Sequence, residues 1–190
     1  MDCCRPKEKE SIMKQWHPLA YYLPEDIARM SSCQTYEELH EVAFAVFSRI
    51  DGEASMICGP ITSGGLGCPR ENLRVFELAT RLVAKHEPSL FTQLPFENAM
   101  ARIRAEGRHY KGDLHLLEAF YLPLFRSRKM QKLFFLPHWE TSRGTLWEHR
   151  QAEELGIRRL YIRPRFDRPS SGKSLFIPPH HAKPEQFIPA

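Results

Sequence analysis

Ala54-Ser55-Met56-Ile57-Cys58-Gly59-Pro60-Ile61-Thr62-Ser63-Gly64-Gly65-Leu66-Gly67 is the stretch that decides the fold. Small and apolar residues run into Gly59-Pro60, the pattern of a short buried strand that opens into a glycine-rich turn. Residues 72–85 follow, with Leu73, Phe76, Leu78, Ala79, Leu82 and Val83 at helical spacing. Strand, glycine turn and helix in that order make the first half of a βαβ unit.

The alternation continues downstream. Ser89–Thr92 reads as a second strand, and Phe96–Glu106 as a helix closed by Gly107. Asp113 is placed to cap a helix reaching Arg126, which carries Leu116, Leu117, Phe120, Leu124 and Phe125, with Pro123 as a kink. Lys132–Leu136 reads as a third strand, Thr145–Leu155 as a helix closed by Gly156, and Arg159–Ile162 as a fourth strand. Strands that alternate with helices predict an α/β fold with a parallel sheet covered on both faces. Ligands of such sheets bind outside the carboxyl ends of the strands. That rule selects the loops after Cys58, Thr92 and Leu136.

Residues 1–52 read as a helical N-terminal extension ahead of an α/β domain over residues 53–163. Tyr36, Leu39, Ala43, Val46 and Ile50 share one helical face, Thr35 with Glu38 is the N-terminal signal, and Asp51-Gly52 is the stop. Residues 164–190 hold six of the fifteen prolines and read as an irregular tail.

Hydrophobic residues make up 42% and charged residues 26% of the 190-residue chain, the balance of an ordinary globular protein. The net charge of +4 is mild, and Arg126, Arg128, Lys129, Lys132, Arg158, Arg159, Arg163, Arg165 and Arg168 lack the dense aromatic-interleaved stripe of a nucleic-acid binder. A nucleic-acid partner is therefore disfavoured. No apolar run is long enough to span a membrane, and the first ten residues lack a signal core. The five cysteines show no C-x-x-C spacing, so reduced thiols in a cytoplasmic setting are expected. The nine histidines show no metal-ligand spacing, and no metal site is expected.

Gly59 to Gly67 is neither a Walker loop, since Gly65 stands where Lys is required, nor a G-x-G-x-x-G turn. Its backbone N–H groups can still cradle a phosphate or sugar hydroxyl, which makes Gly59, Pro60, Ile61, Thr62, Ser63, Gly64 and Gly65 candidate contacts. Asn72 is a candidate N-cap or ligand contact. Gly172-Lys173-Ser174 has Asp167 where a phosphate loop needs its first Gly, and is set aside. The second loop runs Pro137-His138-Trp139-Glu140-Thr141-Ser142-Arg143-Gly144 into Thr145-Leu146-Trp147-Glu148. Thr145-x-x-Glu148 is a capping-box pattern. The same carboxylate, held anionic by the helix dipole and facing a pocket, can attack an anomeric carbon. Ser142 suits a cap or a phosphate, and Gly144 a close approach to ligand. Trp139 suits stacking on a base.

Gly59-Pro60-Ile61-Thr62, Asn72 and Phe76, Gln93-x-Pro95-Phe96-Glu97, and Leu136-Pro137-x-Trp139-x-x-Ser142-x-Gly144-x-x-x-Glu148-x-x-x-Ala152-x-x-x-Gly156-Ile157 together resemble the nucleoside 2-deoxyribosyltransferase-like superfamily, nearest its uncharacterised domain-of-unknown-function branch. The resemblance covers residues 54–163. It implies a flavodoxin-like, Rossmann-like three-layer sandwich and a homo-oligomer needing no metal or cofactor. It also implies a small nucleoside or nucleotide as partner, and catalysis at an N-glycosidic bond with Glu148 as nucleophile. Gln93, Glu97, His138, Trp139, Ser142 and Gly144 join the glycine loop as implied binding residues. The transferases carry an Asp shortly before the Ser-x-Gly-x-x-x-Glu segment, where this chain has His138-Trp139-Glu140. Glu140, Glu97 and Asp113 are the candidates to replace it. Without that Asp, a non-catalytic nucleotide-binding module is the alternative expectation.

Overall fold

The computed structural model describes residues 17–107, 111–164 and 176–177. Helices α1 (Pro24–Ser32) and α2 (Tyr36–Ser48) lead into strand β1 (Ala54–Cys58). Helix α3 (Pro69–Val83) crosses to β2 (Leu90–Phe91), and α4 (Glu97–Glu106) follows. A short α5 (Asp113–Leu116) passes through a π turn (Leu117–Tyr121) into α6 (Leu122–Arg126). Then come β3 (Met130–Phe135), α7 (Arg143–Glu154) and β4 (Arg158–Tyr161). The four strands form a parallel sheet in the order β2-β1-β3-β4, the α/β three-layer, flavodoxin-like arrangement expected from the alternation.

The pleat sorts the core into two clusters, because successive strand residues face opposite sides. Ile57, Leu90, Phe134 and Leu136 pack with Phe76, Ala79 and Val83 of α3 on one face. Met56, Cys58, Phe91, Leu133 and Phe135 face the opposite way, onto α2, α4, the 113–126 segment and α7. The crossover running towards β2 uses one face and those running back to β3 and β4 use the other, the placement that a single crossover handedness requires.

The segment expected as an extension is a structural layer. Tyr36, Leu39, Val42, Ala43, Val46, Phe47 and Ile50 are all buried within the main cluster. Thr35 Oγ1 accepts from Glu38 N at 3.2 Å, as the N-terminal signal implied. Arg49 then clamps α1 through both Asp26 oxygens, at 2.5 and 3.1 Å.

Other local expectations change. The helix after the second loop starts at Arg143 rather than Thr145, and Gly112, not Asp113, precedes α5. At Pro123 the helix is not simply kinked. Proline brings no N–H, and just ahead of it Leu122 N bonds back to Leu117 O, which widens one turn to π geometry. At its far end α7 closes in a Schellman motif, with Ile157 N on Ala152 O and Gly156 N on Glu153 O.

The Pro-rich tail lies outside the described residues except for Pro164 and Phe176–Ile177; Arg163 and Pro164 pair antiparallel with Ile177 and Phe176. Arg165, Arg168 and the Gly172-Lys173-Ser174 segment also lie outside. Among the described residues no helix is long and apolar enough to cross a membrane.

Candidate functional site

The strand order reverses between β1 and β3, so the helices that follow them pack on opposite faces of the sheet and a crevice opens at the two carboxyl ends. The glycine loop leaves β1 there and the Pro137–Gly144 loop leaves β3 there. Gly59 passes so near β3 that a Cβ would lie 2.5 Å from Leu136 Cδ1. At the tips the loops touch: Gly65 N donates to Thr141 Oγ1 at 2.6 Å. Gly64, at φ 70°, has no room for a side chain, since a Cβ would lie 2.4 Å from Thr141 O.

Between and beneath these loops lies a cavity of about 480 Å³. Gly59, Ile61, Thr62, Ser63, Gln93, Glu97, Ser142, Gly144 and Glu148 all line it, so the structure gathers nine of the residues singled out in the sequence. Met100, Arg104, Leu117, Tyr121, Arg143 and Trp147 also line it and escaped sequence reasoning. They come from helix faces that look like ordinary amphipathic surface. The proline at position 123 was the one local signal near Tyr121.

Six expected contacts do not line the cavity. Pro60 is buried beside it, and Gly64 and Gly65 are spent on the loop–loop contact. Asn72 is not the cap of its helix and does not line the cavity. Cys68 occupies the N-cap of α3, and Asn72 ties the glycine loop from within: Oδ1 accepts from Leu66 N at 2.8 Å, and Nδ2 donates to Gly64 O at 3.0 Å and Ile61 O at 3.3 Å. His138 sits in a left-handed turn at φ 63°. Trp139 stacks on His149, centroids 4.2 Å apart and planes 15° apart, in a cluster with Phe135 and Tyr161. One face of its ring is covered by His149, and the ring does not line the cavity.

Ser142 is the N-cap of α7, its Oγ accepting from Thr145 N at 3.4 Å. This removes the capping-box reading of Thr145 and Glu148, since Thr145 itself is the N3 residue. Glu148 lies a turn further on, in the buried stripe Thr145–Glu148–Ala152, and is 6% exposed.

The expectation of an anionic Glu148 is also corrected. Burial pushes its carboxyl up to about 8; a hydrogen bond from the Cys58 thiol pulls it down, and nearby Glu97 pushes it up further. Loss of water outweighs the helix dipole, which falls off within the first turn. Glu97, partly buried at the start of α4, is pushed by burial up to about 7, with Arg104 opposing. Cys58, at the end of β1, is held well above its usual range by burial and by Glu148, and stays a thiol.

Gln93 is fixed by the brevity of β2. β1 extends beyond its neighbour, and Gln93 Nε2 donates to the Ile57 carbonyl at 3.0 Å. That bond sets the amide orientation and leaves Gln93 Oε1 buried with no hydrogen-bond partner among the described residues. Of the candidates to replace the missing Asp, Glu97 lines the cavity, Glu140 is exposed outside it, and the side chain of Asp113 lies outside the described residues. Among the described residues no group of three or more His, Cys, Asp or Glu side chains is placed to hold a metal ion.

Comparison with protein-family models, curated proteins and solved structures finds no match to this chain.

Proposed function

We propose that the chain cleaves or transfers at the N-glycosidic bond of a nucleoside or nucleoside monophosphate, with Glu148 as nucleophile and Glu97 serving the leaving base. The observation that carries this reading is a pair of carboxyls on separate helices, α4 and α7, facing one cavity at the switch point of a parallel sheet. Paired carboxyls, one protonated as the acid and the other ionised as the nucleophile, are the equipment of glycosyl transfer. The resemblance of the Ser142-x-Gly144-x-x-x-Glu148 segment to the nucleoside 2-deoxyribosyltransferase-like superfamily points the same way.

In the first step the Glu148 carboxylate bonds to the anomeric carbon as the carbon–nitrogen bond breaks. The electron pair leaves with the base nitrogen, and the Glu97 carboxyl gives its proton to the base. In the second step water or another base attacks the anomeric carbon, the Glu148 ester bond breaks, and Glu97 takes the attacker's proton. Gln93 Oε1, with no donor among the described residues, is available to a ligand N–H or O–H. Ser63 and the start of α7 flank the cavity where a phosphate would sit. The cytoplasmic setting and a homo-oligomeric state belong to the same proposal.

Burial raises both carboxyls, whereas reaction needs the proton on Glu97 and Glu148 ionised. Activity is expected to rise as the pair loses its first proton and fall as it loses its second, a bell-shaped pH profile. The protonated Glu148 also favours a second reading, a nucleotide-binding module that leaves its ligand intact.

The test is chromatography of a panel of nucleosides and 5′-monophosphates, with and without an acceptor base. Free base released by the wild type and not by Glu148→Gln supports the enzyme. Tight binding of an intact ligand with no release, by folded protein, leaves only the binding module.

A further inference from the structure

The charges of α7 run against its own dipole. The amino end of a helix favours acidic side chains and disfavours cations, yet Arg143 takes the first position of α7 and the first turn holds no acid. At the far end Glu153 is answered by Arg159, at 3.1 Å. Nothing of the kind answers Arg143, which is exposed and has no hydrogen bond or ion pair among the described residues. Arg150 is also exposed and also without such a partner among the described residues. It lies roughly 10 Å further along the helix axis. Both arginines line the cavity, as does Arg104 of α4.

Against these three arginines the cavity wall sets two acids, Glu97 and Glu148. Neither arginine of α7 is spent on them: the groups acting on Glu148 are Cys58 and Glu97, and the cation acting on Glu97 is Arg104. The lining therefore keeps an excess of positive charge even with both carboxyls ionised. A cleft walled by one sign of charge draws in ligands of the other. A second, independent observation points to a ligand in the same cavity. Gln93 is 2% exposed, its amide is fixed by the Ile57 carbonyl, and its Oε1 has no partner among the described residues, although buried polar atoms are ordinarily satisfied.

We propose that the cavity takes its ligand as an anion, a nucleoside 5′-monophosphate in preference to the free nucleoside, with Arg143 as the side chain that binds the phosphate. The guanidinium offers paired N–H donors that match phosphate oxygens, and the amino end of α7 adds its own attraction for an anion. A bound phosphate thus turns an unfavourable cation at that position into a favourable one. Arg150, further along the same helix, and Arg104, across from it on α4, supply the field that draws the anion in. This deepens the glycosidic reading by naming its substrate class, and rests on that reading for the nucleoside part of the ligand.

The test is binding, read by titration calorimetry on the full chain carrying Glu148→Gln, so that ligand survives the measurement. Each nucleoside of a panel is compared with its own 5′-monophosphate. The monophosphate is expected to bind about tenfold more tightly or better, the worth of one hydrogen bond to a charged group, and added salt is expected to shrink that ratio. Adding Arg143→Gln should bring the ratio close to one while leaving nucleoside affinity as it was, and Arg143→Lys should restore part of it. The Tm of Arg143→Gln is expected to equal or exceed that of its parent, because the change removes a cation from the positive end of a helix. A monophosphate bound no more tightly than its nucleoside, a panel of which no member binds, or a ratio unchanged in Arg143→Gln overturns the proposal. The parent ratio and its salt dependence decide without any arginine variant. Phosphate preference without base release by the wild type would sink the glycosidic reading and keep this one; base release with a ratio of one would do the reverse.

Discussion

Glu148 sits in the middle of a buried helical stripe, where an apolar side chain would pack without penalty. Its carboxyl is raised from 4.5 to about 8, so the folded state holds a proton that the unfolded chain releases. The associated stability is fully present below about pH 4.5 and is lost as pH rises through about 8. One proton corresponds to roughly 1.4 kcal/mol for each pH unit in that window. Glu148→Gln keeps the shape and removes the titration. Its Tm should therefore exceed that of the wild type by a margin that widens from pH 5 to pH 8, about the interval between the two values, as read by calorimetry. A constant margin would show that the carboxyl titrates normally. Residue type and spacing flagged Glu148, but its charge state was not legible, because burial is a property of the elements around it and not of its neighbours in sequence.

At the scale of elements, the glycine loop and the Pro137–Gly144 loop act as one wall. Gly65 N on Thr141 Oγ1 joins their tips, and Asn72 holds the first loop from below. A methyl at Gly64 would both strain a positive φ and collide with Thr141 O at 2.4 Å. Gly64→Ala should cost about 1–3 kcal/mol and separate the loops. The expected readout is faster amide exchange confined to residues 59–67 and 137–144, with the core unchanged. Exchange that stays slow in both loops would mean they are held apart from one another. Both loops were legible in the sequence, through Gly and Pro clusters bounded by strand and helix patterns. The division of labour within them was not. Asn72 looks equally suited to a cap, a ligand or a brace, and only the position of Leu66 and Gly64 relative to it decides for the brace.

For the whole molecule, α2 supplies one wall of the main cluster, with Tyr36, Leu39, Val42, Val46 and Phe47 fully covered. Burying each such side chain contributes roughly 1.5–3 kcal/mol, in sum comparable to a domain's whole net stability of about 5–15 kcal/mol. A chain beginning at residue 53 should therefore fail to fold, seen as loss of a cooperative thermal transition; a cooperative transition in that fragment would show that α2 is dispensable. The amphipathic face of α2 was plain in the sequence, but its destination was not, since a helix stripe states that it must be covered and not by what. By itself the sequence determined the parallel α/β architecture and the two loops at the carboxyl ends of β1 and β3, because these follow from local periodicity, turn chemistry and the switch-point rule, whereas Gln93 and Glu97 entered through the family resemblance. Tertiary structure alone decided that Tyr121, Arg104 and Met100 line the cavity, that Trp139 and Asn72 do not, and that burial pushes the Glu148 carboxyl up to about 8. Those outcomes depend on which surfaces exclude water together, and that is settled only when distant segments pack.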